Sequence, residues 1–152
     1  MMKTPAKFVG STAITFGQFA MITMDYEFLN YKNADLSASD YNFREENSDI
    51  EAVYRPVHNL RFGGEVRLGP GYLRGGYAHY ASPFATSETN VNSDRNILSA
   101  GLGIRNRFFF MDATYSRSMT ENSYYLYVPG ITEAAVLEEN GNRVMLTVGF
   151  RF

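Results

Sequence analysis

Seven stretches of the chain set large apolar residues against small or polar ones at every second position. The clearest is NRVMLTVGFRF, Asn142 to Phe152. Val144, Leu146, Val148, Phe150 and Phe152 hold its even positions, and Arg143, Met145, Thr147, Gly149 and Arg151 its odd ones. Period-2 alternation predicts a β-strand with two unlike faces. Asn59 to Leu68 is nearly as regular, with Leu60, Phe62, Val66 and Leu68 against Asn59, Arg61, Glu65 and Arg67. The same pattern, with varying strength, predicts strands over Phe8 to Phe16, Phe19 to Tyr31, Tyr72 to Tyr80, Asn96 to Arg105 and Phe108 to Arg117.

The connections alternate in length. Gly17-Gln18, Gly69-Pro70-Gly71 and Asn106-Arg107 are short and carry turn residues. Lys32 to about Pro56, Ser82 to Asp94 and Ser118 to Gly141 are long and polar. The first long loop has room for a short extra hairpin around Ile50 to Tyr54, and Tyr124, Tyr125 and Tyr127 for an extension of the last hairpin. Strands of about ten residues suit a tilted crossing of a bilayer. Short turns at one end and long loops at the other suit a barrel of the bacterial outer membrane, with periplasmic turns and extracellular loops. The expectation is therefore all-β: an antiparallel up-and-down transmembrane β-barrel, present as a portion of about seven strands.

Composition agrees with a two-faced chain. Aromatic residues make up 15%, yet mean hydropathy is −0.26, as alternation of lipid-facing and polar positions produces. A net charge of −2 and a pI near 5.7 leave no basic face for nucleic acid. The absence of Cys excludes disulfides and thiolate zinc sites. No apolar run is long enough for a transmembrane helix, and the opening MMKTPAKFVGSTAITFG is not a signal peptide. Strand parity adds that the first and last strands both run toward the short-turn side, whereas a complete single-chain barrel has an even count. The expectation is that residues 1–152 form one C-terminal portion of a longer precursor, or a form cut for expression.

The strings HNLRFGGEVRLGPGYLRGGYAHYASPF, NILSAGLGIRNRFFFMDATY and VMLTVGFRF, with DYEFLNY upstream, resemble the C-terminal half of the FadL-like outer-membrane transport proteins. The likeness runs from about Thr4 to Phe152 and lies in the serial order of hairpins. It implies a fourteen-strand barrel with an N-terminal plug and a lateral opening, which carries long-chain fatty acids, aromatic hydrocarbons and other hydrophobic compounds. This chain has room for about half of those strands and lacks the plug and the region of the lateral opening.

The polar positions collect Asp25, Glu27, Arg61, Glu65, Arg67, Arg74, Arg105, Asp112 and Arg151, which a barrel turns to its lumen. Two uses compete: guiding a carboxylate-bearing substrate, or a mutually neutralising network that fixes register. Tyr26, Phe28, Phe109, Tyr115, Phe150 and Phe152 suit interfacial aromatic girdles. Leu146, Val148, Phe150 and Phe152 resemble the C-terminal signal read by the barrel assembly machinery. Pairing across the Gly69 turn sets His79 opposite about Arg61 and away from His58, which speaks against a metal pair or a His-based hydrolase. The loop residues Asp35, Asp40, Glu45, Glu46 and Asp49, or Asn90, Asn92 and Asp94, offer weak Ca²⁺ binding or plain solvated charge; they lack EF-hand spacing, which favours solvated charge. No catalytic residue, metal or cofactor is expected.

The expected partners are outer-membrane lipids, a hydrophobic small-molecule substrate, the assembly machinery, and other copies of the chain through open strand edges. The alternatives are a small adhesion-type or anchoring β-barrel, a soluble β-sandwich binding module, and an outer-membrane lipid hydrolase.

Overall fold

The computed structural model describes residues 1–85, 93–124 and 135–151. Its main feature is one antiparallel sheet of seven strands, each bonded to the next in chain order. The strands are β2 (Lys7–Phe16), β3 (Ala20–Asn30), β5 (Pro56–Leu68), β6 (Gly71–Tyr80), β7 (Arg95–Arg105), β8 (Phe109–Tyr124) and β9 (Ala135–Phe150). β2 and β9 are its two edges. A second, two-stranded sheet joins β1 (Met2–Lys3) to β4 (Asp35–Leu36).

The three short turns follow from local chemistry. Gly17 and Gly69 adopt φ of 58° and 63°, values that L side chains avoid. Gly69-Pro70 is a two-residue loop that pairs Leu68 with Gly71. This corrects the expected register by one residue: His79 lies opposite Leu60, and Arg61 opposite Ala78. A three-residue turn would have moved every later β6 side chain one position along β5. At the third turn the Asn106 side chain accepts from the backbone N–H of Phe108 and Phe109, at 2.8 and 2.9 Å.

Successive hairpins are displaced along the strands. Ala20 pairs with Val66, so the Leu68–Gly71 turn projects two residues beyond the Gly17 turn. Met111 pairs with Ile104, and the Phe109–Phe150 pair lies two residues farther still. Each step is pinned by one backbone bond from an arginine to the preceding turn. Arg67 N–H donates to the Phe19 carbonyl (2.6 Å), Arg105 N–H to that of Pro70 (2.8 Å) and Arg151 N–H to that of Phe108 (2.8 Å). Two residues per hairpin is one per strand. An eight-stranded barrel with that stagger has strands tilted by about 36°.

Two parts of the expected long loops are regular. The region expected as loop or hairpin at Ile50 to Tyr54 belongs instead to a helix, α1 (Arg44–Val53). Arg, Glu and Ala favour a helix, and Glu45 and Glu46 sit in its first turn, where acids complement the dipole. Only Tyr54 bridges as a strand residue, to Phe84. Ser118 to Gly141, expected as a connection, is largely a two-stranded ribbon that pairs as far as Tyr124 and Ala135. Both of its faces carry polar residues, with pairs such as Thr120–Glu139 and Glu121–Glu138, so no period-2 signal marked it. Tyr125 and Tyr127 lie outside the described residues.

The chain exposes 11122 Å², against about 7,800 Å² for a compact monomer of its 17.2 kDa mass. Among the described residues, Val57 is the one fully buried apolar side chain. The sheet has no core of its own.

Candidate functional site

The registers put the apolar positions of all seven strands on one face. Row by row, Ile14, Ile22, Gly64, Gly75, Ala100, Tyr115 and Val144 lie side by side. So do Val66, Leu73, Leu102, Ala113 and Leu146. The large side chains among them are solvent-exposed, Leu102 at 63% and Leu146 at 72%. The lower limit of the band descends from Phe16 through Leu68 to Phe150, following the hairpin stagger.

Toward the long loops this face ends in aromatic residues whose polar atoms find partners. The Tyr26 hydroxyl meets His58 Nδ1 at 2.6 Å, and Tyr77 and His79 both reach Asn96 Oδ1, at 2.8 and 2.9 Å. The Tyr115 hydroxyl donates to Asn142 Oδ1 at 2.7 Å. Phe28 packs its ring 5.2 Å from His58. At the short-turn end, Phe109 pairs with Phe150. Leu146, Val148 and Phe150 share this face; Phe152 lies outside the described residues.

The opposite face carries the charged positions. Lys7 reaches Glu27 at 2.7 Å, and Arg61 lies 3.6 Å from Asp25 and 3.8 Å from Glu27. Asn59 donates to Glu27 at 2.9 Å. Nearer the turns, Arg74 donates to Glu65 at 2.5 Å and to Asp112 at 2.6 Å, and Arg105 approaches Asp112 at 4.0 Å. The network spans four strands, so its geometry is that of a register lock as well as a neutraliser. Arg67 and Arg151 have no ion pair among the described residues.

Glycines make room for this packing. A Cβ at Gly63 would sit 2.7 Å from Thr23 Oγ1, and one at Gly76 2.7 Å from Ser99 Oγ. At Gly103 it would collide with Asp112, and at Gly149 with the Phe110 ring. On the apolar face, Gly10 and Gly75 have nothing within 4 Å.

Sequence reasoning passed over Tyr72. Its ring lies under the guanidinium carbons of Arg105, Arg67 and Arg74, at 4.9, 5.5 and 5.6 Å. The signal lay in the turn: a two-residue Gly69-Pro70 loop sets Tyr72 directly across from Arg67.

The loop residues make contacts of their own. Asn47 of α1 donates to Asp35 Oδ1 and the Leu36 carbonyl, at 2.8 and 3.0 Å, and accepts from Leu36 N–H at 2.8 Å. The Tyr41 hydroxyl donates to Glu46 at 2.7 Å, which holds the Glu46 carboxyl below its ordinary range and raises the hydroxyl. Asp94 accepts from Ser82 N–H at 2.7 Å; Asn90 and Asn92 lie outside the described residues. Among the described residues no group of His, Asp or Glu is arranged to hold a metal ion.

No family model, curated protein or solved structure matches this chain.

Proposed function

We propose that this sheet is part of the wall of a bacterial outer-membrane β-barrel that admits hydrophobic compounds, long-chain fatty acids or aromatic hydrocarbons among them. The observation that carries the membrane part is the unbroken apolar face across seven strands, backed by a face on which most of the charges are paired. Lipid satisfies such a face without a second protein layer. A soluble β-sandwich would bury it under another sheet, and among the described residues these side chains stand exposed. The oblique course of the band supports the same reading, because tilted strands must be staggered to keep one apolar belt level with a bilayer.

β2 and β9 run in the same direction, as the ends of any seven-stranded antiparallel sheet must. They cannot close antiparallel on each other. An odd number of further strands between these edges completes the barrel. Transport of hydrophobic compounds rests on the resemblance of the hairpin series to the FadL-like proteins, and the nine charged positions then face the lumen.

Deletion of the gene in its bacterial host is expected to slow uptake of a radiolabelled long-chain fatty acid or aromatic hydrocarbon. Unchanged uptake of both overturns the transport reading. A chain that is monodisperse without detergent overturns the membrane reading.

A further inference from the structure

The short-turn end of the polar face holds more positive charge than its acids neutralise. Arg67, Arg74 and Arg105 crowd one ring, Tyr72. Glu65 and Asp112 are both engaged by Arg74, at 2.5 and 2.6 Å. Arg105 meets Asp112 only at 4.0 Å, and its buried Nε has no hydrogen-bond partner among the described residues. Among the described residues the Arg67 side chain has a single weak hydrogen bond, from Nε to the Gly69 carbonyl at 3.3 Å.

These two underused guanidiniums line one shallow cleft of about 630 Å³, together with Gln18, Phe19, Pro70 and Asn106. Among the described residues no carboxylate lines it. Asn106 spends its side-chain oxygen on two backbone N–H groups, which leaves its amide nitrogen as a donor. Phe19 and Pro70 supply an apolar wall.

We infer that this cleft is an anion-binding site, in which Arg67 and Arg105 clasp a carboxylate or phosphate group between them. Planar guanidinium forks match both groups and bind them by charge-assisted hydrogen bonds. The Tyr72 ring face offsets part of the repulsion among the three cations and holds the forks in place before the anion arrives. A bound anion supplies the charge that Glu65 and Asp112 do not. The site rests on the membrane reading only for its location, at the periplasmic end of the lumen.

The test is an NMR titration of the full chain, folded in zwitterionic detergent, that follows the Nε–Hε resonances of Arg67 and Arg105. The probes are inorganic phosphate, acetate and hexanoate. Saturable shifts of these two resonances are expected, with the dissociation constant raised about tenfold by Arg67→Gln or Arg105→Gln and unchanged by Arg143→Gln. Hexanoate binding tighter than acetate identifies an amphiphilic carboxylate whose tail lies on Phe19 and Pro70. Phosphate binding tightest identifies a phosphate-bearing ligand.

Unmoved resonances, or equal affinity in the glutamine variants, overturn the site. If a glutamine variant fails to fold, the wild-type resonances decide alone, since an anion bound elsewhere leaves them in place. A chain that binds these anions but takes up no detergent contradicts the membrane reading and leaves the site standing. A detergent-embedded chain that binds none overturns the site alone.

Discussion

The two faces of the sheet are built from the same seven strands but by opposite rules. On the apolar face, large side chains stand exposed, and a Cβ at Gly75 would meet nothing within 4 Å. On the polar face, side chains lean over glycines, pair across four strands and stack on Tyr72. One face is a surface that needs only an apolar solvent. The other is a half-buried layer in which most of the charged groups have a specific partner. The difference teaches that period-2 alternation does more than separate oil from charge. It lets one sheet carry a generic apolar surface, which we propose meets lipid, and a specific contact with itself.

The largest test of this contrast is a charge placed on each face. In the chain folded into bilayers, Leu102→Arg is expected to cost about 2–4 kcal/mol, as a cation near the bilayer midplane does. Thr147→Arg, on the polar face beside Asp112, should stay within about 0.5 kcal/mol. Denaturant titration measures both, and equal costs would erase the distinction between the faces.

Next comes the ion network. Arg74→Met removes the partner of both Glu65 and Asp112. It should destabilise the folded chain by about 2 kcal/mol, less than a fully buried pair because solvent still reaches these groups. Adding Glu65→Gln and Asp112→Asn should restore most of that loss. If the triple variant is no more stable than the single one, the network is not a neutralising unit.

Glycines sharpen the comparison at smaller energies. Gly103→Ala drives its methyl into Asp112 and should cost about 1–2 kcal/mol. Gly75→Ala meets open space and should stabilise by about 0.5 kcal/mol. The same sign at both sites would mean that the polar face is not tightly packed.

Much of this fold was legible because alternation reports which side of a strand meets an apolar environment. Val144 to Phe150 and Leu60 to Leu68 needed no more than that. The ribbon beyond Arg117 was legible only as an extension of the hairpin around Tyr124; its continuous pairing was not, since both its faces carry polar residues. Helix α1 was hidden for a related reason: REENSDIEAV has helix-favouring residues and an acidic first turn but little apolar periodicity. At the candidate site, each charged residue up to Asp112 was placed on the polar face by parity. Which acid met which arginine depended on the Gly69-Pro70 turn, where one residue of register moves every partner. Tyr72 went unremarked because an aromatic on a polar face makes no pattern until the guanidiniums around it are placed.

The smallest effect lies away from both faces, in the loop layer. The Tyr41 hydroxyl stabilises the charged form of Glu46. Carbon-detected titration should therefore place the Glu46 midpoint below the ordinary 4.5, and Tyr41→Phe should raise it. Any stability from this pair is present above the unfolded carboxylate range and is lost as pH falls through the lowered midpoint. A Glu46 midpoint indifferent to Tyr41→Phe would refute the contact.

The central claim is that the apolar face meets lipid. Nitroxide labels placed singly at residues 143 to 149 of the bilayer-folded chain test it most directly, by collision with oxygen, which concentrates in lipid, and with a water-soluble nickel chelate. The account predicts a period of two: oxygen dominates at Val144, Leu146 and Val148, and nickel at Arg143, Met145, Thr147 and Gly149. Uniform nickel access at all seven positions, or oxygen dominance at the odd ones, would contradict it.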